Sequence, residues 1–200
     1  MSRVPRGEAR ARLIEAATDL VRRKGFAATS VDDLCAAAGV TKGAFFHHFA
    51  SKDDLGAAVV ENWTRTTAAM FAAHPYNDLP DPLDRVLAYL DLRRSFLDWP
   101  LAAFSCVAGT MVQETWSTHP GIRAAAGASL SSGASHVEAH LAEALAAHPV
   151  PGVTAAGLAG FVQVAVQGGI IAAKALDDPG AARDALNHAE RYLRLLFARD

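Results

Sequence analysis

Apolar residues recur at helical spacing through nearly the whole chain. Leu13, Ile14, Ala17, Leu20 and Val21 repeat at intervals of three and four, the period of one helix face. The run closes on Arg22-Arg23-Lys24 and Gly25, cations suited to a last turn and a glycine suited to a left-handed cap. Ser30 followed by Asp33 is a capping-box-like start for a short helix that carries Val31, Leu34 and Cys35 and stops at Ala38-Gly39. Thr41 can cap a second short helix over 42–48. Ser51 with Asp54 opens a long one whose inner stripe is Leu55, Val59, Trp63, Thr66 and Met70. HPYNDLPDP (74–82) breaks the pattern. Periodicity resumes at about 83–98, 101–116 and 120–147, punctuated by Trp99-Pro100 and by Ser117-Thr118-His119-Pro120. Pro149, Pro151 and Gly152 then precede a last pair, about 154–176 and 179–198, joined through Asp177-Asp178-Pro179-Gly180.

No stretch alternates apolar and polar over a useful length, so the expected class is all-α with about nine helices, three short and six longer. Two short helices joined by a glycine-containing turn and braced by a preceding helix make a helix-turn-helix. Its second helix must project far enough to enter a major groove roughly 12 Å wide. Phe45 and Phe49, four residues apart, can plug that helix into a small core with Leu13, Val31, Leu34 and Val40. Lys42, Gly43, Ala44 and His47 are left facing outward, where small side chains let the backbone approach bases. The expected division is a DNA-binding domain over 1–52 and a six-helix domain over 53–200, the latter given its effector-binding and dimerisation role by the family resemblance described below.

Composition changes this picture little. The formal charge is −2 over 200 residues. It is uneven: residues 1–55 hold nine Lys/Arg against seven Asp/Glu, and 56–200 hold ten against fourteen. A slightly basic end that begins MSRVPRGEARAR, on an acidic body, fits a polyanion at that end. No apolar signal core opens the chain, and no secretory signal is expected. The stretch 155–176 has the length of a membrane span, but Gln163, Gln167 and Lys174 interrupt it, so a buried helix is expected rather than a membrane partner. Cys35 and Cys106 stand far apart with no metal spacing, as expected of free thiols in the cytosol.

The segment RLIEAATDLVRRKGFAATSVDDLCAAAGVTKGAFFHHFASKDDL resembles the DNA-binding domain of the TetR family of bacterial regulators. The likeness rests on Gly25, Thr29-Ser30-Val31, Ala38-Gly39-Val40, Gly43, His48-Phe49 and Ser51-Lys52. The resemblance implies that Ser30, His48 and Lys52 touch phosphates while Lys42, Gly43, Ala44 and His47 face bases of a double-stranded operator. Phe46 stands where the family usually has tyrosine. A hydroxyl contact to phosphate is therefore absent, at a cost of ~1 kcal/mol. The resemblance also implies a ligand-released repressor acting as a homodimer, whose last two helices form a four-helix bundle across the two-fold axis. Gly157, Gly160, Ala165, Gly168 and Gly169 suit close helix approach, and Leu186, Leu193, Leu196 and Phe197 supply an apolar face. Packing within one chain is the alternative for both stripes.

Trp63, Met70, Tyr89, Arg93, Phe96 and Trp99 mix aromatic with polar character, as a pocket for a small-molecule effector would. Phe104, Cys106, Thr110, Gln113 and Trp116 continue the mixture, and Gln167 and Lys174 add polar positions from the apolar stretch. Plain core is the alternative for each. FSCVAGTMVQETWSTHPGIR and the C-terminal stretch look, more faintly, like a branch of the family that includes sensors of reactive electrophiles and small unsaturated compounds. That likeness makes Cys106 a candidate sensing thiol, with Lys174 as the cation that would favour thiolate. An inert buried cysteine is the alternative. His136 and His140 stand i, i+4 as zinc ligands can, but HVEAH is not H-E-x-x-H and no third ligand is apparent. No phosphate loop, nucleophile elbow or triad is present, so no catalytic residue, cofactor or metal is expected. A helical small-molecule-binding protein without sequence-specific DNA recognition is the alternative function.

Overall fold

The caps expected from the sequence are formed. In this computed structural model, which describes residues 6–198, α1 (Arg6–Lys24) ends at Gly25 with φ +86°. Only glycine adopts that conformation without penalty. A Cβ there would also lie 2.4 Å from the Glu114 Oε1. α2 (Val31–Ala38) starts from a reciprocal capping box: Ser30 Oγ accepts the Asp33 N–H at 3.1 Å, and the Asp33 carboxylate accepts the Ser30 N–H at 2.9 Å. Thr41 caps α3 (Lys42–His48) by accepting the Ala44 N–H, and Ser51 accepts the Asp54 N–H at the start of α4 (Lys52–Ala72). The opening arginine-bearing arm lies partly outside the described residues, which exclude 1–5.

The remaining α-helices are α5 (Pro82–Ser95), α6 (Leu101–Phe104), α7 (Val107–Thr115), α8 (Pro120–Ala147), α9 (Ala155–Leu176) and α10 (Gly180–Leu196). Among the described residues there are ten α-helices and no strand, one helix more than expected. The extra one arises because the expected helix over 101–116 divides. Cys106 is extended (φ −80°, ψ 121°), which ends the i→i−4 ladder, and its Sγ accepts the Gly109 N–H at 3.4 Å to begin α7. Likewise α5 stops at Ser95 and tightens into a 3₁₀ turn over Phe96–Asp98. The breaker at 74–82 contains a second 3₁₀ turn, Pro75–Asp78, where the Asn77 side-chain amide donates to the Phe71 and Ala72 carbonyls at the end of α4 and to the His74 carbonyl beyond it.

The chain forms two compact units, and the division does not follow the expected boundary at 52/53. The first unit holds the residues up to Thr66 together with Ser105–Ser129, and the second holds Thr67–Phe104 together with the chain from Leu130 onward. The core of the first unit joins Leu13, Leu34, Phe45, Phe49, Leu55 and Val59 to Val107, Met111, Ile122 and Ala126. A backbone bond reinforces it, because Glu114 on α7 accepts the Ala27 N–H at 2.7 Å. The stripe expected along α4 holds for Leu55 and Val59, whereas Thr66 and Met70 are exposed. In the second unit α9 lies against α10, so close that a Cβ on Gly169 would come within 3.0 Å of the Ala182 Cα.

Candidate nucleic-acid interface and effector region

In the first unit, Phe45 is fully buried and Phe49 nearly so, which anchors α3 and turns its other face outward. Lys42, Gly43, Phe46 and His47 are exposed, Phe46 to 56%, while Ala44 and His48 are half-buried. Lys42 is not idle in the free protein. Its ammonium pairs with Asp32 of α2 at 2.8 Å, and that bond holds its pKa above the ordinary value. Ser30 is exposed at the N-terminus of α2, and Asp33 is held well below the usual carboxylate range by bonds from Lys24 and Ser30.

Lys52 is placed differently from a simple phosphate ligand. Its Nζ donates to the Phe26 and Thr29 carbonyls, each at 3.0 Å, and sits 4.3 Å from the centre of the Phe26 ring. It braces the loop between α1 and α2, with one of three N–H groups left over. Cys35 is buried beneath α2, and burial, reinforced by Asp32, pushes its thiol pKa up and away from reactivity.

The residues expected to line an effector pocket divide by unit. Trp63, Cys106, Thr110, Gln113 and Trp116 belong to the first, and Tyr89, Arg93, Phe96, Phe104, Gln167 and Lys174 to the second. Trp116 is 61% exposed and Gln113 turns back to the Gly109 carbonyl, so neither lines a cavity within its unit. Trp63 packs on the first core beneath the Arg22 guanidinium, 5.1 Å from its ring centre. Burial lowers the Arg22 pKa, and the charges of Asp19 and Cys106 oppose that shift. Lys174 is exposed and Gln167 half-buried on α9.

Four of the expected residues do come together. Arg93, Phe96 and Phe104 border a small cleft with Leu97, Val166, Ile170 and Leu186. Tyr89 lies buried next to them, its ring 5.3 Å from Phe71, which in turn lies under Arg93. Phe71, Leu97 and the i, i+4 pair Val166 and Ile170 were missed, although that spacing on α9 was readable. His136 and His140 join a half-buried polar cluster. Tyr76 and His136 share a 2.5 Å hydrogen bond, and His140 bonds the Asn77 Oδ1 at 3.0 Å. Burial lowers both imidazole pKa values, with His140 adding to the effect on His136 and Arg85 to that on His140.

The expected dimer residues also need correcting. Leu186, Leu193 and Phe197 are buried inside the chain itself, because that face of α10 packs on its own unit. A Cβ added to Gly160 or Gly168 would meet no atom within 4 Å, so these glycines admit no close neighbour from their own chain. The apolar residues left open on these helices are Phe161, Val164, Ile171 and Leu176 of α9 with Tyr192 and Leu195 of α10. Val164 is 70% exposed and Leu195 73%.

Two family models match, one described as bacterial regulatory proteins of the tetR family over residues 13–59, the other as the tetracyclin repressor-like C-terminal domain over 82–189. This chain belongs to the TetR family. The HTH-type transcriptional repressor Rv3405c of Mycobacterium tuberculosis is 38% identical over 81 residues, 40% of this chain and 43% of the repressor, so the chain matches under half the length of that relative. Among solved structures, a TetR-family transcriptional regulator from Agrobacterium tumefaciens superposes with a TM-score of 0.83 at 21% identity, covering 94% of this chain and 98% of that one. The reduced form of NemR from Escherichia coli follows with 0.81 at 20%, covering 92% and 95%. At these identities the structural likeness concerns the fold. Members of the family are DNA-binding regulators rather than enzymes; they are dimers and respond to small-molecule effectors.

Proposed function

We propose that this protein is a transcriptional repressor of the cytoplasm that binds a palindromic DNA operator as a homodimer and is released by a small-molecule effector. The exposed face of α3 carries the reading. Lys42, Gly43, Ala44 and His47 are offered to base edges from a helix that Phe45 locks in place. A seven-residue helix is about 10 Å long, a length that fits lengthwise or tilted in a groove about 12 Å wide. Ser30, His48 and Lys52 flank that face and position it on phosphates, while Phe46 contributes apolar contact only. The functional boundary proposed between the reading and effector-binding domains remains 52/53, inside a compact unit that runs further.

The second copy is assigned to the open face of α9 and α10. α9 is long and apolar enough to cross a membrane by length and composition. One of its faces, however, is occupied by α10, and the other presents Phe161, Val164, Gly168 and Ile171 as a stripe at helical spacing. An apolar stripe continued by Tyr192 and Leu195 suits a symmetric partner. Gel-shift with the DNA upstream of its own gene, together with sedimentation, tests the proposal. Sequence-specific binding by a dimer supports it. A protein that binds small molecules but selects no sequence from a random DNA pool would be the helical binding protein of the alternative reading.

A further inference from the structure

Arg93 and Arg94 are neighbours on α5 with opposite circumstances. Arg94 is paired with acids, with hydrogen bonds to Asp91, Glu190 and Asn187. Arg93 has no acid within ion-pair reach among the described residues. Its guanidinium carbon lies 5.6 Å from the Phe71 ring centre and 5.9 Å from that of Phe96. Aromatic faces offset part of the cost of holding a cation away from water, but they leave its planar fork of donors without an anion.

The small cleft beside Arg93 measures about 20 Å³, room for a water molecule and nothing larger. What covers it is a chain of short elements: the 3₁₀ turn Phe96–Asp98, which has no side-chain cap, then Trp99-Pro100 and the four-residue α6. Phe96 stacks on Trp99 at 5.0 Å between ring centres and 23° between planes, and Trp99 is more than half exposed. Short uncapped pieces with an exposed aromatic open at low cost. The walls revealed would be Phe71, Phe96, Leu97, Phe104 and Ile170, all apolar, with one cation.

We propose that this junction is the effector seat and that it takes a small aromatic carboxylate, the anion on the Arg93 fork and the ring among Phe71, Phe96 and Phe104. The inference rests on the ligand-responsive reading above. A single guanidinium matches a monocarboxylate in charge and in bidentate geometry, whereas a phosphate dianion would need a second cation that these walls do not provide. The same turn is tied to α10 by Asp98 with Arg183 at 3.0 Å, and α5 by Arg94 with Glu190, so opening it moves the helix that carries the proposed dimer face.

The test uses the full chain with benzoate and trans-cinnamate as probes and benzamide and cinnamamide as neutral counterparts. The acids are expected to raise the melting temperature and displace the protein from operator DNA, and the amides to do neither. Arg93→Gln should weaken acid binding about tenfold or more, equivalent to ~1.4 kcal/mol, and Arg93→Lys should recover part of it. Gel-shift without any compound reports on the regulator reading alone, and melting shifts without DNA report on the seat alone. Equal action of acids and amides, no shift by either acid, or undiminished acid binding by Arg93→Gln would overturn the assignment. Should Arg93→Gln fail to fold, the comparison of acids with amides on the unaltered protein and on Arg93→Lys decides.

Discussion

The two compact units spend their sequence information differently. In the first, the short helices are capped locally, since Ser30 and Asp33 cap each other and Thr41 caps α3, while the longer reaches of Lys52 and Glu114 converge on the one loop before α2. In the second, the informative polar residues reach far along the chain, as Arg94 does to Glu190, Arg183 to Asp98 and Tyr76 to His136. On the proposed function, the reading face is fixed by caps between near neighbours, and the effector region is held by contacts between distant segments that a ligand could rearrange. Local specification suits a surface that must match DNA, and long-range specification suits a device that must change state.

The comparison breaks first if the reading helices are self-sufficient. Residues 1–66 expressed alone lose Met111, Ile122 and Val107 from their core, and circular dichroism should find them without cooperative unfolding. A fragment that melted cooperatively and bound operator DNA would refute the discontinuous unit. Next comes Phe45→Ala, expected to cost ~3–5 kcal/mol in urea unfolding because a fully buried ring is lost. Ile171→Asp, on the open face of α9, should instead leave the fold of each chain intact and shift the protein to monomers in sedimentation, with loss of operator binding.

The two lysines sharpen the comparison within the first unit. Lys52→Ala removes two bonds to buried-side carbonyls and should lower stability by ~1–3 kcal/mol. Lys42→Ala breaks only an exposed ion pair and should alter stability by less than ~1 kcal/mol, while relaxing preference at one base position by ~1–3 kcal/mol. Binding-site selection and denaturant melts on both variants check this. The smallest effect concerns acid. His136 and His140 have folded pKa values below the ordinary one of about 6.5, so the unfolded chain takes up protons first as pH falls. The stability they contribute is complete above about pH 6.5 and declines below it, and His136→Gln should flatten the melting temperature against pH between about 7 and 5.

How much of the molecule is legible in its sequence follows the same division. Caps and the Phe45–Phe49 anchor depend on residues three or four apart, and a sequence displays those directly. The burial of Leu186, Leu193 and Phe197 was not readable, because periodicity reveals that a helix has an apolar face without saying whose surface covers it. Helix α10 has apolar residues toward its own unit and, at Tyr192 and Leu195, apolar residues outside as well. The bracing role of Lys52, beside the phosphate contact the resemblance implies, was not readable either, because a lysine near a reading helix offers no hint of carbonyls 23 and 26 positions upstream. The pairing of Arg93 with two rings and no acid likewise depended on Phe71, which lies beyond the breaker at 74–82.

The discontinuity of the first unit has a consequence for synthesis. Its opening helices emerge early, yet Met111 and Ile122, which close their core, follow only after the whole stretch 67–104 has been made. Translation at ~5–20 residues per second takes about 3–13 seconds to advance from residue 66 to 129. Throughout that interval Leu13, Phe45 and Val59 have no complete interior. On the proposed function, the chain therefore gains its operator-binding head only after the intervening stretch of the second unit has already been made.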